Sequence, residues 1–76
     1  MEFRLKTLRK NKHISQLKLS LDLGIPQNSI SRFETETRRP DYYTLIQLAD
    51  YFNVSIDYLV GRSDNPDYIS SDQNNK

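Results

Sequence analysis

The sequence contains no cysteine, no tryptophan, only two glycines and three prolines, and no long run of apolar residues. Without cysteine the chain can form neither a disulfide nor a thiolate metal site, and this absence suits a reducing cytoplasm. Without a long apolar run it offers no candidate membrane span. The basic residues 1–10 are not followed by an apolar stretch, so no signal peptide is expected. We therefore expect a cytoplasmic protein that makes no membrane contact.

Residue types that support catalysis are scarce as well. The chain has one histidine, and its two glycines, Gly24 and Gly61, are too far apart to form a glycine-rich phosphate loop. No cluster of residues has the spacing of metal ligands. Two of the six aspartates of residues 41–76, Asp41 and Asp57, fall at expected helix starts, where capping and helix-dipole effects explain them. The sequence therefore predicts a protein that is not an enzyme and that uses neither a metal nor a cofactor.

The net charge of +1 conceals an uneven distribution along the chain. Residues 1–40 carry nine lysines and arginines against four acidic residues, a balance of +5. Residues 41–76 carry two basic residues against six aspartates, a balance of −4. Simple solvation of a small domain could account for these charges. A basic half beside an acidic half also suits one surface for a polyanion and another that faces away from it.

Capping residues and apolar spacing predict an all-α fold, a compact bundle of five short helices. The expected helices span residues 2–11, 16–23, 27–34, 42–52 and 56–60. Apolar and polar residues alternate over residues 17–23, as in a strand, but none is β-branched or aromatic. Because Ser15 can cap this stretch and Gly24 can end it, a helix is predicted there. We expect a domain over residues 1–62 and a polar, mobile tail over 63–76.

Residues 15–33 have the pattern of two short helices joined by a tight turn. Ser20 is small enough for a second helix to cross closely, and Gly24 can take a left-handed conformation. The residues expected to face the core are Leu19, Leu23, Ile25, Ile30 and Phe33. The outward residues, Gln27, Asn28, Ser29, Ser31 and Arg32, are of types that hydrogen-bond base edges and phosphates. This arrangement predicts a helix-turn-helix that reads DNA.

Several spaced segments match one known family. They are LR at 8–9, ISQ at 14–16, LG at 23–24, SISRFE at 29–34, RRP at 38–40, LIQLADYFNVS at 45–55 and DYLVGR at 57–62. With these segments, residues 3–62 resemble the lambda-repressor-like family of helix-turn-helix domains, the Cro or Xre type of phage and bacterial repressors. The resemblance implies a sequence-specific transcriptional regulator of double-stranded DNA. It favours a repressor that binds a two-fold operator as a homodimer, with the third helix in the major groove.

The resemblance also assigns roles to individual residues. The expected base-reading residues are Gln27, Asn28 and Arg32. The expected phosphate-binding residues are Ser15, Gln16, Ser29, Ser31, Arg38 and Arg39. A side-chain amide suits adenine and a guanidinium suits guanine, although Arg32 could instead bind a phosphate. Arg9 of the first helix and Glu34 at the end of the third are expected to form a structural salt bridge.

Three places depart from the family pattern. Thr35-Glu36 replaces a frequent Asn-Gly, which removes a left-handed glycine and adds a negative charge near the expected DNA backbone. His13 replaces a frequent glycine, and we expect an unusual backbone conformation there rather than a pH sensor. Leu17 and Leu21 stand at positions that are usually polar. We expect them to pack against the first helix rather than form an apolar patch.

A protein-interaction module, such as an antitoxin or adaptor with the same fold, is the alternative function. The five tyrosines exceed what a small core can use. Tyr51, Tyr58 and Val60 are therefore expected at a homodimer interface made from the fourth and fifth helices. Otherwise, Tyr42 and Tyr58 only cover the core with their rings. The polar face of the third helix separates the two functions, because a pure interaction module has no need of it. Regulation through a protein partner is compatible with either.

Overall fold

The computed structural model describes residues 3–67. Over these residues the chain forms five α-helices and no strand. The helices are α1 Leu5–Asn11, α2 Gln16–Leu23, α3 Gln27–Glu34, α4 Tyr42–Phe52 and α5 Ile56–Leu59. The all-α architecture expected from the sequence is confirmed. None of the helices in this part of the chain is long and apolar enough to span a membrane.

Every helix contributes one fully buried side chain to a shared core. These side chains are Leu5, Leu19, Ile30, Leu48 and Leu59, in order from α1 to α5. Phe33, Ala49, Phe52 and Val54 are also buried and complete the core cluster. Full burial of an aliphatic side chain contributes about 1.5–3 kcal/mol. The short helices are therefore held by their common contacts rather than by their own length.

Most helix ends follow the expected capping chemistry. Ser15, Asp41 and Ser55 each accept a hydrogen bond of 2.8–3.0 Å from the backbone N–H three residues later. Gly24 and Asn53 end α2 and α4 with φ angles of 69° and 57°. Both angles lie in the left-handed region, which satisfies the last carbonyls of a helix. These five positions confirm the predicted ends of α2 and α4 and the starts of α2, α4 and α5.

The start of α1 differs from the prediction, because the helix begins at Leu5 rather than at residue 2, which lies outside the described residues. Arg4 precedes the helix and is tied to the other end of the domain. Its guanidinium donates to the carbonyls of Tyr58 and Ser63, both at 2.7 Å, and to Asp64 at 2.8 Å. It also lies 4.2 Å from the centre of the Tyr58 ring. These tertiary contacts hold the segment before α1, and no further helical turn forms ahead of Leu5.

Residues 63–67 lie against the helical domain. Besides the contacts with Arg4, the backbone N–H of Ser55 donates to the carbonyl of Pro66 at 3.3 Å. α5 ends at Leu59, one residue before the expected position. The domain boundary after residue 62 stays a prediction. The remainder of the expected mobile tail, residues 68–76, lies outside the described residues.

The two unusual leucines of α2 are exposed. Leu17 is 53% exposed and Leu21 is 72% exposed. The prediction that they pack against α1 is wrong. Residues four apart share one helix face, and Leu19 and Leu23 occupy the face directed at the core. Because α2 has only one such face, the pair Leu17 and Leu21 is directed at solvent.

Candidate nucleic-acid interface

The turn between α2 and α3 fixes how the two helices pack. The backbone N–H of Gly24 donates to the carbonyl of Ser20 at 2.8 Å. The hydroxyl of Ser20 in turn donates to the carbonyl of Ile25. Leu19 and Ile30, one from each helix, are fully buried at the packed faces. The turn therefore sets the direction of α3 with internal hydrogen bonds, whereas the sequence pattern had indicated only the small size of Ser20 and the left-handed conformation of Gly24.

α3 presents a polar surface on the side opposite the core. Ile30 and Phe33 are buried, and at 100° per residue Asn28 and Arg32 lie on the far side of the helix. Gln27 lies at the start of the helix, and all three polar side chains are exposed. Amide and guanidinium groups on one exposed helix can reach neighbouring base edges in a major groove. The structure thus brings the three expected base-reading residues to one accessible surface.

An ion pair lies behind this surface. Arg9 of α1 donates through Nε to Glu34 Oε2 at 2.6 Å and through Nη2 to Oε1 at 3.0 Å. Gln16 of α2 donates through Nε2 to the same Glu34 Oε1 at 2.9 Å. The side chains of Arg9 and Glu34 are only 11% and 3% exposed. The expected salt bridge is present, and the sequence had not indicated that Gln16 joins it.

The charges of this pair are mutually stabilised. Burial alone raises the pKa of the Glu34 carboxyl, but hydrogen bonds from Arg9 and Gln16 and nearby positive charge outweigh it, so the pKa lies below its usual 4.5. The hydrogen bond with Glu34 raises the pKa of Arg9 against the effect of burial. Both groups are therefore charged at neutral pH. Since the pair connects α1 with α3, and Gln16 adds α2, its role is structural.

The residues at the start of α2 that are expected to bind phosphate already make internal hydrogen bonds. Ser15 Oγ accepts from the backbone N–H of Lys18 at 3.0 Å. The Gln16 amide nitrogen carries two hydrogens, and the bond to Glu34 uses one of them. The other can be offered to an anion. On α3, Ser29 and Ser31 are half-buried at the edges of the exposed face. The phosphate roles of these four residues stay predictions.

The loop after α3 contains a left-handed residue at Glu36, where the family pattern frequently has a glycine. Glu36 has a φ angle of 60°, and its backbone N–H donates to the carbonyl of Phe33 at 3.1 Å. Thr35 and Thr37, the two neighbours of Glu36, are joined by a hydrogen bond between their side-chain hydroxyls. His13 has a φ angle of 58°, as predicted for its departure from the family pattern. L-residues reach this region at a steric cost, so both positions carry backbone strain.

The two arginines that follow this loop are exposed, and Arg38 returns to α3. Its Nη1 donates to the hydroxyl of Ser29 at 3.1 Å. Beneath the arginines is a cleft of about 350 Å³ between α3, the loop, α4 and the N-terminal segment. It is lined by Phe3, Phe33, Glu36, Arg38, Arg39, Pro40, Leu45 and Val60. Arg38 is thereby held at the edge of α3, and Arg39 lines the cleft beside it.

The comparisons with known proteins agree with this geometry. A family model described as Helix-turn-helix matches residues 5–59, which include all five helices. The chain belongs to the helix-turn-helix family. The match begins at the first residue of α1 and ends at the last residue of α5. The family therefore covers the core, the α2–α3 turn and the exposed face of α3 together.

Three relatives from Bacillus subtilis (strain 168) are similar to this helix-turn-helix chain. An uncharacterized HTH-type transcriptional regulator, YobD, is 36% identical over 64 residues, or 84% of this chain and 57% of YobD. The HTH-type transcriptional regulator ImmR is 38% identical over 61 residues, or 80% of this chain and 48% of ImmR. The uncharacterized HTH-type transcriptional regulator YqaE is 39% identical over 56 residues, or 74% of this chain and 48% of YqaE. The chain spans about half the length of the curated relatives it matches.

The residues expected at a dimer interface of this helix-turn-helix domain are engaged within the chain. Tyr51 donates its hydroxyl to Asp22 at 2.6 Å and packs edge-on against Phe52. This bond lowers the pKa of Asp22 and raises that of Tyr51. Tyr58 lies under the guanidinium of Arg4, and Val60 lines the cleft. All three expected interface residues are half-buried.

Among residues 3–67, the most exposed aromatic residues lie elsewhere, at the start of α4. Tyr42 is 70% exposed and Tyr43 is 69% exposed. The alternative in which Tyr42 covers the core is therefore wrong, whereas Tyr58 does pack against the core. Both tyrosines occupy the first turn of α4, immediately after the capping Asp41. Sequence reasoning had placed the free aromatic surface on the later tyrosines, because periodicity alone does not show which rings find partners.

Proposed function

We propose that this domain binds double-stranded DNA in a sequence-specific manner and regulates transcription. The observation that carries the proposal is the exposed set of Gln27, Asn28 and Arg32 on α3. Amide and guanidinium groups are the side chains best suited to adenine and guanine edges in the major groove. Membership of the helix-turn-helix family supports the proposal, as do relatives named as transcriptional regulators. The same membership supports a binding domain rather than an enzyme.

Phosphate contacts supply much of the proposed affinity. We assign them to Ser15, Gln16, Ser29, Ser31, Arg38 and Arg39. Each neutralised phosphate releases condensed counterions, so the affinity falls steeply with salt. These contacts set the position of α3 in the groove, whereas its outward side chains select the sequence. The proposed cytoplasmic location follows from this partner.

The finer proposal is a repressor that acts as a homodimer on a two-fold operator. Two copies of α3 would enter successive major grooves about 34 Å apart, one turn of DNA. α4 carries Tyr51, α5 carries Tyr58, and Val60 follows α5 directly, so we assign the dimer contact to these two helices. The exposed Tyr42 and Tyr43 enlarge the aromatic surface available on α4.

Binding to the DNA upstream of its own gene tests the proposal directly. The affinity for this DNA is compared with that for scrambled DNA of the same composition at two salt concentrations. We expect a preference of about a thousandfold or more that persists near physiological salt. Weak binding with no preference at either salt concentration contradicts sequence-specific regulation.

A protein-interaction module is the second candidate, and one observation favours it. Leu17 and Leu21 form an exposed apolar pair on α2, and a pair of this kind can contact a protein partner. This function becomes the leading one if the DNA preference is absent. If the preference is present, the same leucines can serve a regulatory partner of a DNA-bound domain.

A further inference from the structure

We propose that Ser29 is a positioning residue that holds Arg38 along one flank of α3, where the arginine binds a DNA phosphate. This inference rests on the proposed function and deepens it. It joins two residues that are far apart in the sequence pattern into one unit. The unit sets how α3 sits between the two walls of the major groove.

The backbone first brings Arg38 to the end of α3. The left-handed conformation of Glu36 reverses the chain immediately after the helix. The backbone N–H groups of Thr37 and Arg38 then donate to the carbonyl of Arg32 at 2.9 and 3.3 Å. The Arg38 side chain therefore starts beside the last turn of α3.

The side chain of Arg38 then runs back along the helix. Its guanidinium carbon lies 5.9 Å from the centre of the Phe33 ring. Its Nη1 reaches the Ser29 hydroxyl at 3.1 Å. Ser29 and Phe33 are four residues apart and share one side of α3. Arg38 is thus held at its backbone by the carbonyl of Arg32 and at its guanidinium by Ser29.

The position of this side explains why the partner is a phosphate. Ser29 lies about 100° around the helix from Asn28, which belongs to the outward face. With the outward face directed at the bases, the flanks of a helix face the phosphates along the groove walls. A guanidinium has five N–H donors, and the bond to Ser29 uses one. The others can bind a phosphate oxygen.

A double-mutant cycle tests the inference on the upstream DNA. We expect Ser29→Ala to weaken binding about 3- to 10-fold and Arg38→Ala about 10-fold, with a decrease of about 0.9 in the salt slope. The double variant S29A/R38A should bind within twofold of Arg38→Ala. Ser29→Thr keeps the hydroxyl and should restore most of the affinity. Thermal unfolding checks that each variant is folded.

Arg39 provides the matched control, because it is an exposed arginine in the same loop. The effects of Ser29→Ala and Arg39→Ala should be additive. Additive effects of Ser29→Ala and Arg38→Ala, with the salt slope lowered by Arg38→Ala and unchanged by Ser29→Ala, would overturn the positioning role and leave two independent phosphate contacts. If the wild-type domain shows no DNA preference, the proposed function fails and this inference fails with it.

Discussion

The two halves of the domain share one core but use their polar side chains differently. In residues 3–40, a buried ion pair holds α3 from behind while amide and guanidinium groups cover its exposed side. In residues 41–67, acidic and hydroxyl side chains mainly cap helices or join neighbouring segments, as Asp41 and Ser55 do. The first half also carries the excess of positive charge. Within α3, stability and base recognition therefore depend on separate residues.

The largest expected effect comes from breaking the support of α3. Glu34→Ala leaves the nearly buried guanidinium of Arg9 unpaired, and we expect a loss of about 3 kcal/mol or more in the free energy of unfolding. Urea denaturation measures it. Asp50→Ala removes an exposed carboxylate from α4 and should change stability by less than about 0.5 kcal/mol. Equal effects of Glu34→Ala and Asp50→Ala on the free energy of unfolding would contradict the proposed difference between the two halves.

The next effect concerns recognition alone. Arg32→Ala should weaken binding to the upstream DNA by about 1–3 kcal/mol and relax the preference at one base pair. The free energy of unfolding of the Arg32→Ala variant should be nearly unchanged, because Arg32 is exposed. Arg62→Ala, an exposed arginine of the second half, should leave the base preference intact. If Arg32→Ala instead weakens binding to all sequences equally, Arg32 binds a phosphate and not a base.

A smaller effect, opposite in sign, is expected at the loop after α3. Glu36→Gly removes left-handed strain from an L-residue, partly offset by the greater freedom of glycine in the unfolded chain, so we expect a gain of about 0.5–1 kcal/mol. DNA binding should also tighten, because a negative charge near phosphates is lost. His13→Gly relieves comparable strain and should stabilise the fold similarly without tightening DNA binding. A tighter complex with both variants would show that the charge of Glu36 is irrelevant.

The smallest effect is a pH dependence that arises at Glu34. Because its folded-state pKa lies below the usual 4.5, the ionised carboxylate stabilises the fold. This contribution is complete above the unfolded pKa and is lost as the pH falls through the folded pKa. We expect the free energy of unfolding to decline below about pH 4.5, and less steeply in Glu34→Gln than in the wild type. Parallel pH profiles of the two proteins would show that the pH dependence of stability arises from a group other than Glu34.

Local chemistry made much of the fold predictable from the sequence. The ends of α2 and α4 follow from capping and left-handed residues that act within a few positions, and the polar face of α3 follows from helical periodicity. The start of α1 was not predictable, because Arg4 is fixed by carbonyls near the opposite end of the domain. The exposure of Leu17 and Leu21 was missed because resemblance does not show which face is already filled. The Arg38 contact with Ser29 depends on a reversal at Glu36 that no periodic pattern signals.

The most direct test of the account is a nuclear magnetic resonance titration of the labelled domain with the upstream DNA duplex. The account predicts that backbone and side-chain signals of Gln27, Asn28 and Arg32 shift first and most. Signals from the start of α2 and from Arg38 should follow, with α5 largely unchanged. Shifts concentrated on α4 and α5, with α3 unaffected, would contradict the claim that α3 reads the DNA.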